Sequence, residues 1–262
     1  MPRTDWGWLI TAEELRSWII SEAEDLLVLN KPAHVLCHPS KRGPWSSLVG
    51  ACRELLSAER LHLVFRLDRE TSGVVVLART AELGSRLQRA VAQRRVRKTY
   101  MAILTGQLEE PRTVEAPIGP DPESLFVARQ WVVPHSGSPA STTFEPISHA
   151  DGYTLARVDL HTGRRHQIRV HAAFIGHAIL GDKLYGPNQR LMLEFMRDGF
   201  TEELRRQLVL DRHALHASEI EFDADVLERR FIAPLPLDLE RFCRERGLEL
   251  GGKSSTGTEA GF

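Results

Sequence analysis

The 262-residue chain predicts an α+β fold. Many short apolar or alternating runs read as strands, and few helical stretches separate them, which argues against a doubly wound sheet. No internal repeat points to a solenoid. In chain order, Thr11-Ala12-Glu13-Glu14 is a capping box and opens a helix through about Ile20. Asp25 to Leu29 reads as a buried strand, stopped at Pro32. Leu61 to Phe65 and Val74 to Ala78 are two strands around a turn. Thr80 caps a helix with Leu83, Leu87, Ala90 and Val91 as its apolar stripe; Glu82 at its start and Arg94-Arg95 at its end suit the helix dipole. Lys98 to Leu104 is a strand with Lys98, Tyr100 and Ala102 on one face. Residues 105–140 read as loops and short strands. Thr154 to Leu160 alternates as a strand, Thr162-Gly163 turns, and a helix runs from about Arg165 to Ile175 with Gly176 as its C-terminal cap. Gln189 to Gln207 is helical, and Ile220–Phe222 and Phe231–Ile232 are late strands. The Gly/Ser/Thr-rich tail is expected to be disordered.

Composition narrows the class. No apolar run approaches the roughly 20 residues of a membrane span, and the N-terminal residues lack a signal pattern. The three cysteines, Cys37, Cys52 and Cys243, are odd in number and far apart. They suit a reducing cytosol better than a disulfide framework or a CxxC metal site, so a cytoplasmic protein is expected. The formal net charge is only −1, but Arg60 to Lys98 holds ten Lys/Arg against three acids. Such a segment is either a solvated basic face or a phosphate-attracting patch.

Phe65-Arg66-Leu67-Asp68-Arg69-Glu70-Thr71-Ser72-Gly73 is the most informative run. A carboxylate between guanidiniums is expected to have a lowered pKa and stay ionised. The Thr-Ser-Gly turn holds it at the mouth of the next strand, with Ser72 bonding the backbone of the turn. An ionised, aimed carboxylate is half of an ion pair or a nucleophile, and these nine residues alone favour the ion pair.

Further motifs follow in order: Lys98-Thr99-Tyr100, then Gly163-Arg164-Arg165-His166-Gln167-Ile168-Arg169, then Gly181-Asp182-Lys183-Leu184-Tyr185-Gly186, with Asn30-Lys31-Pro32 and His38-Pro39 upstream. Together these resemble the RluA-type pseudouridine synthase family over roughly residues 24–240. The resemblance implies a pseudouridine synthase fold: a mixed, mainly antiparallel central sheet flanked by helices, with the catalytic cleft across its middle. It divides the chain into an N-terminal helical extension (1–21), a catalytic domain (22–246) and a tail (247–262). The extension is too short for the S4 RNA-binding domain that many members carry.

The same resemblance assigns roles. Asp68 is the nucleophile. Arg66 fills the gap left by the flipped uridine. Tyr100 stacks on the target base and is a candidate base for proton transfer. Arg169 pairs with Asp68, and Ile168 packs on the uracil. Lys98, Arg164 and Arg165 are candidate phosphate contacts. Outside the resemblance, Tyr100 and Ile168 would read as core and the three basic residues as solvated charge. One position departs from the pattern: Phe65 stands where the family usually has His.

The implied activity is isomerisation of uridine in structured ribosomal or transfer RNA, a stem-loop bound by a monomer. It needs no redox step, so no cofactor is expected. A catalytically silent RNA-binding relative is the alternative. Gly247 to Ser254 matches a phosphate-loop pattern without the strand–loop–helix context, so no nucleotide site is expected there. His166 and His171, five apart, do not form an i, i+4 pair, and no metal site is expected.

Overall fold

The computed structural model of the protein describes residues 8–38 and 43–250. Helix α1, Ala12–Ser17, opens on the capping box: Thr11 Oγ1 accepts the Glu14 N–H at 3.1 Å, and the Glu14 carboxylate accepts the Thr11 N–H at 2.9 Å. It stops earlier than expected. The β-branched pair Ile19-Ile20 enters strand β1, Ile19–Glu22, which pairs with β2, Leu26–Lys31. Sheet pairing outcompetes helix propensity there.

A helix the sequence reading did not identify, α2 (Leu48–Leu56), is capped by Ser47, whose hydroxyl accepts the Gly50 N–H. Strand β3 covers only His62–Leu63, and β4 runs Ser72–Ala78. Helix α3, Ala81–Ala92, lies where Thr80 predicts it. Strand β5 is Val96–Thr105, followed by the short strands β6 (Arg112–Glu115), β7 (Ile118–Pro120) and β8 (Gln130–Val132). Strand β9, Ser141–Ala150, was also unforeseen; Pro146 disguises it, but that residue sits beside a register shift against β10, Tyr153–Leu160, where a strand tolerates proline.

Helix α4, Gln167–Phe174, begins two residues later than expected, because Gln167 braces the turn. Its Oε1 accepts from the Arg164 N–H (3.0 Å) and the Thr162 hydroxyl (2.7 Å), and its Nε2 donates to Ser141 O and Thr142 Oγ1. Helices α5 (Arg190–Asp198) and α6 (Glu202–Leu208) break at Gly199. Strand β11 (Leu215–Phe222), helix α7 (Ala224–Leu227), strand β12 (Arg230–Ile232) and helix α8 (Leu237–Glu245) complete the described chain.

One sheet organises the molecule, in the order β1-β2-β4-β11-β5-β10-β9-β6, with β3 beside β4 and β12 beside β11. Every pairing in it is antiparallel except β4 with β11. Alternate residues of β2 and β4 enter two different cores: Leu27, Leu29, Val75 and Leu77 on one face, Leu26, Val28, Val74 and Val76 against α3 on the other. Burial on both faces explains the unbroken apolar runs. The segments read as N-terminal extension and tail are not peripheral where described. Leu15 and Leu248 are buried in the main core, so the packed body extends past the expected boundaries at 21 and 247. Residues 251–262, with the glycine-lysine part of the phosphate-loop pattern, lie outside the described residues, as does Pro39.

Candidate active site

The single parallel pairing builds the floor of a cleft. His216 and Ala217 of β11 lie opposite Ser72 and Gly73. Gly73 has φ 117°, and a Cβ there would meet Ala217 O at 2.1 Å, so only glycine fits. The Ser72 hydroxyl bonds His216 Nδ1 at 2.9 Å across the strands rather than the backbone of its own turn, and Thr71 Oγ1 bonds His213 Nε2 at 2.8 Å. The Thr-Ser-Gly run is therefore a docking surface for β11, and it fixes the turn that presents Asp68. That turn closes through Thr71 N–H to Asp68 O. Buried Lys31 pins it from behind, donating to Pro32 O, Val35 O and Arg69 O at 2.9, 2.9 and 3.1 Å. Burial pulls the Lys31 ammonium down to about 8.

Asp68 pairs with Arg169 of α4 and with neither neighbouring arginine. Arg169 Nη1 donates to Asp68 Oδ2 at 2.9 Å. Arg66 is exposed, and Arg69 Nε turns to His34 O. Arg169 is itself held from the other side by a fork to Asp182, Nε to Oδ2 at 2.6 Å and Nη2 to Oδ1 at 2.9 Å. The N–H groups of Leu184 and Tyr185 also donate to Asp182 Oδ1. Burial alone would raise the Asp182 pKa, but the Arg169 charge and hydrogen bonds win and hold it well below the usual carboxylate range. The Gly-Asp-x-x-Tyr-Gly turn thus supplies the counter-anion that fixes the orientation of Arg169.

His166 is another residue at this floor to which the sequence reading gave no role. It precedes α4 in the left-handed region, φ 56°. Its Nδ1 lies 2.8 Å from the Tyr185 hydroxyl, and its Nε2 is 3.8 Å from Asp68 Oδ2. Burial, then the Arg169 charge, lowers it to about 4, so the ring is neutral at pH 7. The Tyr185 oxygen also accepts the Gln130 N–H, and the Tyr185 ring packs on the Arg169 guanidinium, 4.9 Å from its centroid. The Gly-Arg-x-His-Gln signature is the signal that marked His166; a lone histidine would have carried none.

The cleft encloses about 540 Å³, and all eight predicted site residues line it: Arg66, Asp68, Lys98, Tyr100, Arg164, Arg165, Ile168 and Arg169. Phe65 lines it too, packing against both cores. Tyr100 is nearly buried; burial, then the Asp68 charge, raises its pKa, so its phenol is protonated at neutral pH. Ile168 belongs both to the core and to the cleft wall. The two histidines weighed as ligands are engaged elsewhere: His171 is buried between Thr142 Oγ1 and Ala116 O, away from His166. The cysteines are buried free thiols. Among the described residues, no helix is long and apolar enough to cross a membrane.

Known proteins match this arrangement. The family model described as RNA pseudouridylate synthase matches residues 25–174. Ribosomal large subunit pseudouridine synthase D of Vibrio vulnificus (strain CMCP6) is 34% identical over 250 residues, covering 90% of this chain and 75% of that protein. An uncharacterized RNA pseudouridine synthase of Chloroflexus aurantiacus is 37% identical over 224 residues, 82% of this chain and 65% of that protein. Among solved structures, human RNA Pseudouridylate Synthase Domain Containing 4 superposes with a TM-score of 0.74 at 26% identity, covering 92% of this chain and 97% of that one. With its family signature set around one cleft and relatives spanning most of its length, the chain belongs to the RNA pseudouridylate synthase family and is an isomerase acting on RNA.

Proposed function

We propose that Asp68 is the nucleophile and that the target lies in ribosomal RNA. One observation supports the first part above all. Asp68 Oδ2 is fixed by Arg169, while Oδ1 takes no hydrogen bond from any described residue and the side chain is 30% exposed to the cleft. A carboxylate with one oxygen anchored and one free is oriented without being fully neutralised. The ribosomal target rests on relatives named ribosomal large subunit pseudouridine synthase D.

The reaction breaks N1–C1′, forms C5–C1′, moves a proton off C5 and places one on N1. A stacked base cannot reach Asp68, so the uridine flips into the cleft, with Arg66 filling the gap and Tyr100 and Ile168 against the uracil. Asp68 Oδ1 attacks C1′ and the uracil leaves; the uracil turns, and C5 displaces the carboxylate. The protonated phenol of Tyr100 is no base in the free enzyme. C5 gives up its proton only after C5–C1′ has formed and the Asp68 carboxylate is free again, so that carboxylate is the acceptor at hand. The proton gained by N1 balances the one lost, and Tyr100 serves by stacking on the base. Lys98, Arg164 and Arg165 hold phosphates. The enzyme acts as a cytoplasmic monomer.

Chemical mapping of pseudouridine in total cellular RNA, with and without the gene, tests the assignment. Loss of one or a few ribosomal sites, restored by the wild type and not by Asp68→Asn, is expected. Restoration by Asp68→Asn removes the nucleophile role; no lost site favours a silent RNA-binding relative.

A further inference from the structure

A second groove of about 390 Å³ adjoins the catalytic cleft, and the two share Lys98 and Leu160 as wall residues. Arg94, Arg97 and His161 line the second groove alone. Its two acids are engaged with cations outside it: Asp159 with Arg157, and Asp223 with Arg95. Lys98 is only 8% exposed, yet no described residue gives it an ion pair or hydrogen-bond acceptor. Gly163 lies where a Cβ would come 3.4 Å from the Lys98 Nζ, so the absence of a side chain there leaves the ammonium open. A desolvated cation without a protein anion, at the junction of two basic clefts, is a site for an external anion.

The turn between α3 and β5 adds an independent observation. Helix α3 ends in a Schellman motif, Arg95 N–H to Ala90 O and Arg94 N–H to Val91 O. Its left-handed position, where glycine is the default, holds Arg94 at φ 61°. A long cation at a backbone position that disfavours side chains calls for a reason in binding rather than folding. Arg94 is exposed and has no carboxylate partner among the described residues; Arg97 is exposed and reaches Glu221 only at 3.7 Å.

We propose that this second groove binds the phosphodiester backbone of the RNA strand flanking the flipped uridine, with Lys98 on the phosphate at the junction and Arg94 and Arg97 on those beyond. It rests on the RNA-modifying reading above and extends the bound strand past the catalytic cleft.

The test compares two double variants of equal charge loss, Arg94→Ala/Arg97→Ala in the groove and Arg86→Ala/Arg89→Ala on α3 outside it. Binding of the full chain to a fluorescein-labelled 15-nucleotide oligouridine is measured across salt concentrations. The groove pair should weaken binding about tenfold and lower the log–log salt slope by roughly 1.4, at about 0.7 per single-strand phosphate. The outer pair should change each far less. Equal effects from the two pairs, or none from the groove pair, overturn the proposal. Arg94→Gly sharpens it: glycine suits the left-handed turn, so melting temperature should rise while binding falls, and unchanged binding would count against the groove. Binding is read without pseudouridine formation, so an inactive but salt-sensitive binder would defeat the catalytic reading and leave the groove standing.

Discussion

At the floor of the cleft, Arg169 makes three hydrogen bonds to two carboxylates, and buried Lys31 and Lys183 are each held by protein oxygens. At the rim, Arg66, Arg94 and Arg165 are exposed and have no carboxylate partner among the described residues. Both regions are basic, but the floor is electrostatically complete without RNA and the rim is not. Preorganised charge belongs where bonds break, since it needs no rearrangement at the moment of reaction. Unpaired charge belongs where a polyanion docks and releases its counterions. The fold should therefore depend on the floor, and RNA on the rim.

The largest break in that comparison is Arg169→Met. It leaves Asp182, which is fully buried, without its countercharge. Losing one partner of such a pair costs about 3–5 kcal/mol, so denaturant titration should show a drop of that size together with loss of turnover. Wild-type stability in this variant would mean that the floor is not preorganised.

Acid attacks the floor next. Burial lowers both His166 and His216 to about 4. The unfolded chain takes up these protons near 6.5, the folded chain only near 4. The unfolded state therefore binds more protons across that window, and stability falls as pH drops from about 6.5 to about 4. Each group contributes on the order of 3 kcal/mol once the drop is complete. Melting curves from pH 7 to pH 4 should show it, and His216→Gln should flatten the slope. A flat wild-type profile would mean that these rings are not held neutral.

The sequence disclosed the rim and half of the floor. Asp68, Tyr100 and Arg169 stood in motifs, and so did the basic run. Asp182 stood in a motif too but without a role, because it lies thirteen residues beyond Arg169 and its role depends on a fork that only the folded turn creates. Ser72 was misjudged for the same reason: local chemistry favours a backbone bond in a turn, whereas β11, arriving from more than 140 residues away, offers His216. Strand β9 was hidden by Pro146, and β1 by a capping box whose helix ends after six residues. In each case pairing with another strand, neighbouring or distant, overrode the local signal.

The smallest effect on folding should come from the rim, and Arg66→Ala isolates it. Arg66 lies two residues before Asp68 in the same turn, yet it is exposed and holds nothing among the described residues in place. Surface substitutions of that kind change stability by no more than about 0.5 kcal/mol. Catalysis should nevertheless fall, and more than overall RNA affinity, because a side chain that fills the gap left by a flipped base acts after docking. Single-turnover rates set beside filter-binding affinities separate the two. If affinity falls as much as rate, Arg66 is one more phosphate contact; if stability falls by several kcal/mol, the division between floor and rim does not run through this turn.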